Sequence, residues 1–291
     1  MSLDAASLDR ALRAALSKPF SIGLTPVDIG LWIEPDARRD AELALRAEIF
    51  ARDGRDAFDA LPGSQAAQAE VAERLGDHLS RYFPTLPRTP ARADEPPLLA
   101  IARNVQEDLL VLTREPAGWT LVAGSLCFPS TWRLREKIGR PMDIIHAAVP
   151  GFPGRFADLV SRIFDNLQPD ALVERHNLSI YDDGELRHDG VRKGVVKFPA
   201  EAAVADVAHI RVERQTLLRL PKTGAVLFTV RVRALKVAEL TESPRGRELM
   251  GAVTRHLAQM TEPQWAYKSL APARERVMDA FEALDREPRW S

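Results

Sequence analysis

Apolar residues in the first third of the chain recur at the spacing of helix faces. Leu3, Leu8, Leu12 and Leu16 fall mostly four residues apart, which predicts a short amphipathic helix over 3–16. The next stretch, FSIGLTPVDIGLWIEPD, is rich in Pro and Gly, carries Trp32, and reads as an extended entry segment. Asp36 is placed to cap a helix running to about Ala51, with Leu43, Ile49 and Phe50 among its apolar positions. Ser64 is placed to cap another, in which Val71, Leu75 and Leu79 recur every four residues up to Tyr82 and Phe83. PTLPRTPARADEPP then gathers five prolines and reads as a linker or a long surface loop. It sets the expected organisation: an N-terminal helical segment with its Pro-rich connection over 1–95, packed on a core over 96–291 as one integrated domain.

Beyond that boundary the period changes to two. LLVLTREPAGWTLVAGSL predicts two strands around a Glu-Pro-Ala-Gly turn. WRLREKIG predicts a short helix stopped at Gly139. RFADLVSRIFDNLQ predicts a helix with Phe156, Leu159, Val160, Ile163, Phe164 and Leu167 on one broad face, and ALVERHNLSIYDDG a strand ending in an Asp-Asp-Gly turn. The clearest β pattern is VAHIRVERQTLLRLPKTGAVLFTVRVRAL. Ile210, Val212, Arg214, Thr216, Leu218 and Leu220 share one face of its first strand, and Arg211, Glu213, Gln215, Leu217 and Arg219 share the other. PKTG fits the hairpin turn, and AVLFTVRV forms the return strand. Residues 236–286 read as two polar-faced helices broken near Thr261-Glu262-Pro263. The expected class is α+β: an antiparallel sheet of about five strands with N-terminal and C-terminal helices.

Bulk properties narrow the function. A chain of 291 residues with 45% hydrophobic content can bury a substantial core. Forty basic against 41 acidic side chains leave a net charge of −1, so there is no global field for nucleic acid or an anionic membrane. One cysteine, Cys127, excludes an internal disulfide and a cysteine-based metal cage. The N-terminus lacks an apolar signal region, and no stretch approaches the ~18 apolar residues of a membrane span. A cytoplasmic location is expected.

Several common chemistries lack their motifs. G-x-S-x-G, G-x-x-x-x-G-K-[ST] and G-x-G-x-x-G do not occur. Cys127 in GSLCFPS reads as a small core residue. His176, Asp182, Asp183, His188 and Asp189 lie close in sequence, yet Asp-Asp-Gly is also what a turn demands, and turn chemistry is favoured over a metal site. Glu107 and Asp108 stand at the mouth of an apolar strand, as caps or as inward-facing carboxylates. Arg211, Arg214, Arg231 and Arg233 lie on one hairpin, either facing water or forming a rim for carboxylates of a ligand. IIHAAVPGFP sets a single imidazole, His146, among apolar residues before a Pro-Gly-Phe-Pro turn. His146 reads as a backbone-bonded core histidine or as a haem ligand, since haem needs an apolar slot, one imidazole and cations for its propionates.

GLTPVDIGLWIEPD, LLAIARNVQEDLLVLT, FPSTWRLREKIGRPMDIIHAAVPGF, VERHNLSIY and RVERQTLLRLPKTGAVLFTVRV follow one another in an order that resembles the haem-dependent oxidative N-demethylases. The resemblance runs from about Phe20 to Lys268. It implies a PAS-like curved sheet holding haem b, and O2-dependent removal of a methyl group from a small secondary amine such as dimethylamine. Electrons would come from NAD(P)H through FMN and a 2Fe-2S cluster on a separate reductase subunit. It makes His146 the axial metal ligand and Arg211, Arg214 and Arg231 the propionate partners. It leaves Glu107, Asp108 or Glu213 to meet the substrate ammonium. The alternatives within the same fold are a haem-based gas or redox sensor and a haemless interaction protein. One departure stands out: the family often has R-x-N-W where this chain has Arg175-His176-Asn177-Leu178.

Overall fold

In the computed structural model, residues 5–151, 157–188, 198–242 and 244–286 are described. Phe156, the Phe152-Pro153 end of the Pro-Gly-Phe-Pro turn, and Asp189 fall outside them. Chain contacts divide the molecule into two compact units. The first comprises Met1–Leu24, Arg175–Arg214 and Val232–Ser291; the second comprises Thr25–Glu174 and Gln215–Arg231.

The sheet has seven strands in the order β1-β5-β6-β7-β3-β4-β2. They are β1 (Thr25–Pro26), β2 (Phe58–Ala60), β3 (Asp108–Glu115), β4 (Gly118–Ser125), β5 (Val173–Tyr181), β6 (His209–Arg219) and β7 (Val226–Lys236). The count of about five is thereby corrected. β1 and β2 are two and three residues long, too short to show an alternation, and they pair at the two ends of the strand order. Both expected hairpins form. β3 and β4 pair antiparallel from Leu109↔Ser125 to Glu115↔Gly118, with an irregularity at Val111/Leu112.

In the second unit α2 (Arg39–Asp53), α3 (Gln65–Tyr82), α4 (Pro97–Ala102), α5 (Leu134–Lys137), α6 (Met142–Ile145) and α7 (Ala157–Asn166) accompany the sheet. The α3 periodicity is the core-facing one: Val71, Leu75 and Leu79 are buried with Trp32, Leu98, Leu109 and Leu227. Each such side chain removed from water contributes roughly 1.5–3 kcal/mol. Ser64 is the residue before α3, but its hydroxyl donates to the Leu61 carbonyl (2.7 Å) and accepts from Gln68 Nε2 (2.9 Å) instead of capping the helix. α2 begins later than expected. Asp36 accepts from the Arg38 amide (2.9 Å), building a turn ahead of the helix. The Pro-rich segment lies within this unit and forms no helix or strand up to Pro97.

The first unit packs α1 (Ala5–Leu16), α8 (Val204–Val207), α9 (Val237–Leu240), α10 (Pro244–Ala258), α11 (Glu262–Tyr267) and α12 (Arg274–Arg286) around Leu178, Ile180, Ile210, Val253, Trp265 and Phe281. The break expected near Thr261 is a capping box: Thr261 and Gln264 satisfy each other's backbone amides at the start of α11. Residues 236–286 thus hold four helices where two were expected, because α9 and α11 are too short to carry a period.

Candidate functional site

His146 ends α6. Its backbone amide donates to the Met142 carbonyl (3.1 Å), and ring Nδ1 lies 3.0 Å from the same oxygen. A carbonyl can only accept, so Nδ1 is the donor, and a neutral ring in this tautomer carries its lone pair on Nε2. Lys137 Nζ donates to the Ile145 carbonyl (2.9 Å) and ties down the end of the helix that carries His146. The run is not core: His146 is half-buried, Ile144 is 53% exposed, and Ala147 and Ala148 are exposed. A four-residue helix has too few residues to turn every apolar side chain inward, so the core-histidine reading gives way to one at an apolar surface.

The hairpin arginines do not face water. Arg211, Arg214, Arg231 and Arg233 are all buried. In the first unit Arg211 donates from Nη1 to the Leu186 carbonyl (2.9 Å), stands 3.6 Å from Glu213, and lies over the Tyr181 ring. In the second unit Arg231 is clamped between Asp36 (2.8 Å) and Glu42 (2.7 Å), and these carboxylates together with Glu107 hold it charged against burial. Two carboxylates of the chain thus already answer Arg231.

The three candidate carboxylates separate by their partners. Asp108 is fully engaged. Its Oδ1 accepts from Arg46 Nη1 (2.8 Å) and the Cys127 amide (2.7 Å), and its Oδ2 from the Phe128 amide (2.9 Å). Glu107 Oε1 accepts from the Glu34 amide (3.2 Å), while Oε2 is buried without a hydrogen-bond partner. Glu213, in the first unit, accepts from Asn177 Nδ2 (3.3 Å) and stands beside Arg211.

Asp183 closes its turn by accepting from the Glu185 amide (2.9 Å), and His188 Nε2 meets the same oxygen at 2.9 Å. Among the described residues no three His, Cys, Asp or Glu side chains gather as a metal site. Cys127 is buried.

One constellation was not anticipated. In the first unit Lys268 Nζ donates to Asn177 Oδ1 (2.8 Å), the Leu178 carbonyl (2.9 Å) and Ser179 Oγ (3.0 Å). Burial brings its pKa down from 10.5 to about 8. Burial also lowers Arg175, with Glu213 and Tyr267 opposing the shift. Leu178, at the position where the family often has Trp, is itself packed in the core of this unit. The only sequence hint of this cluster is the Arg175-x-Asn177 pattern, and nothing in it points to a lysine 91 residues away from Asn177.

No described helix is long and apolar enough to cross a membrane. A family model described as haem-dependent oxidative N-demethylase, alpha subunit-like, matches residues 23–278, nearly the span over which the quoted segments carry the resemblance. That span includes His146 and every candidate carboxylate and arginine named above. The chain belongs to the haem-dependent oxidative N-demethylase, alpha subunit-like family.

Proposed function

We propose that this chain is the haem-carrying oxygenase component of a system that demethylates a small secondary amine of dimethylamine size. The carrying observation is the family match over residues 23–278 in a chain whose I-H-x-x-V-P histidine donates from Nδ1 to the Met142 carbonyl. One amine, one O2, two electrons and two protons give the primary amine, formaldehyde and water. Haem bound by this chain supplies the activation of O2 and the oxidation of the methyl carbon.

Three features support such a group. His146 would hold iron through Nε2, with the Nδ1 bond to the Met142 carbonyl fixing the ring plane and strengthening the nitrogen as a donor. Ile144, Ala147 and Ala148 offer apolar surface next to that ring. Arg211 and Arg214 are the cations proposed for the propionates. Arg231 is the weakest of the three candidates, since Asp36 and Glu42 already neutralise it. Glu107 is the proposed partner of the substrate ammonium, because it alone of the three carboxylates keeps a buried oxygen with no hydrogen bond. A PAS-like arrangement of the antiparallel sheet and a cytoplasmic setting belong to the same reading. A single cysteine cannot build a 2Fe-2S site, so electrons would reach the chain from a separate NAD(P)H-dependent reductase bearing FMN and the cluster.

The test is haemin titration of the purified chain followed by turnover. A Soret band that His146→Ala abolishes, with formaldehyde formed from dimethylamine under a supplied reductant, is the expected result. Haem binding without formaldehyde from any small methylamine would leave the gas or redox sensor; no Soret band at all would leave the haemless interaction protein.

A further inference from the structure

The first unit holds a cleft that the proposed haem chemistry does not use. It is a small cleft, partly open to solvent, between the end of α1 with the segment after it, the head of β5, His256 of α10 and Lys268 just past α11. Among the described residues that line it, Lys18, Arg175 and Lys268 are cationic, and none is Asp or Glu.

The donors there are unequally used. Arg175 spends one N–H, on Nη2, donating to the Ser21 carbonyl (3.1 Å), and its Nε is buried with no acceptor. Lys268 has all three protons taken by Asn177, Leu178 and Ser179, so it contributes field rather than contact. His256 donates from Nδ1 to the Ser17 carbonyl (2.9 Å), and burial together with the nearby Lys268 lowers its pKa. The nearest carboxylate acting on both cations is Glu213, which Arg211 and Asn177 already hold. Arg175 and Lys268 therefore depend on a carboxylate that Arg211 also uses, and Arg175 Nε has no acceptor.

We propose that this cleft binds a small monocarboxylate, received by Arg175 together with Ser21 and Lys18 of the same lining. A guanidinium matches a planar carboxylate, and Lys18, Arg175 and Lys268 set a positive field along the lining.

The test is calorimetric titration of the full chain with acetate, formate and phosphate at constant ionic strength. Saturable binding of a carboxylate is expected, with Kd raised about tenfold or more in Arg175→Gln. Because anion binding favours the charged amine, binding at about pH 8 should take up a fraction of a proton that is missing at about pH 6. The charged and titratable groups acting on Lys268 are Arg175, Glu213 and His256, and Lys268→Met should remove the uptake. If Arg175→Gln does not fold, Ser21→Ala replaces it, with a smaller rise in Kd expected. Phosphate binding tighter than acetate, no saturable heat from any carboxylate, or unchanged Kd in both variants would each overturn the proposal. Haem content plays no part in the readout, so its outcome is separate from that of the demethylase reading.

Discussion

Arg46 and Asp108 meet at 2.8 Å with both side chains closed off from solvent. The carboxylate also receives the Cys127 and Phe128 amides, so the pair fastens the segment after β4 to the first residue of β3. Asp108→Ala is therefore a stability variant, not an activity variant. It should cost roughly 3–5 kcal/mol in chemical denaturation, because Arg46 would be left buried without its anion. The double variant Arg46→Met/Asp108→Leu should lose less than the sum of the two single changes.

Glu107 should behave in the opposite way. Glu107→Gln should keep the fold and the haem spectrum while kcat/KM for the amine falls by about tenfold or more. An equal loss of Soret intensity would instead mark Glu107 as structural.

His78 is buried among Trp32, Tyr82 and Phe83, with neither ring nitrogen hydrogen-bonded, and burial brings its pKa from 6.5 down to about 4. The native state thus binds fewer protons than the unfolded chain between those values. Stability is full above about pH 6.5 and declines as pH falls through 4, by at most about 3 kcal/mol from this residue. A His78→Phe chain should show a flatter acid limb in denaturation midpoints measured across that range.

Lys268 acts with the same sign at higher pH. Its native pKa of about 8 lies below the ordinary 10.5, so the unfolded chain holds more protons between the two and stability contributed here rises with pH across that window. Lys268→Met should abolish this rise, as read from denaturation at paired pH values.

Gly246 stands in the first turn of α10, where an added Cβ would collide with the Leu240 carbonyl oxygen. The obstacle is backbone and cannot rotate away. Gly246→Ala should lower stability by about 2 kcal/mol or more and shift the thermal midpoint accordingly.

How much of this could be read beforehand depends on the range of each interaction. The β3–β4 and β6–β7 hairpins were legible because their partners lie next to each other in sequence and the turns carry Gly or Pro. α3 was legible from Val71, Leu75 and Leu79. β1 and β2 were not, since pairs such as Thr25↔Glu174 depend on a distant strand and leave no local period. The hairpin arginines were placed on the right strands, but their burial depends on counter-charges that no alternation reveals. His146 stands out through its motif, whereas its exposure is hidden because α6 is only one turn long. The Lys268 cluster draws on three separate segments, so no local pattern signalled it.

The clamp on Arg231 has a consequence for how the chain matures. Asp36 and Glu42 leave the ribosome first and stay hydrated, while their cation lies 195 residues downstream of Asp36. The second unit cannot close its charge balance until β7 has been synthesised. Its assembly is therefore postponed until most of the chain exists, and a nascent chain stalled before Arg231 would present acidic helix and unpaired strand edge to its surroundings.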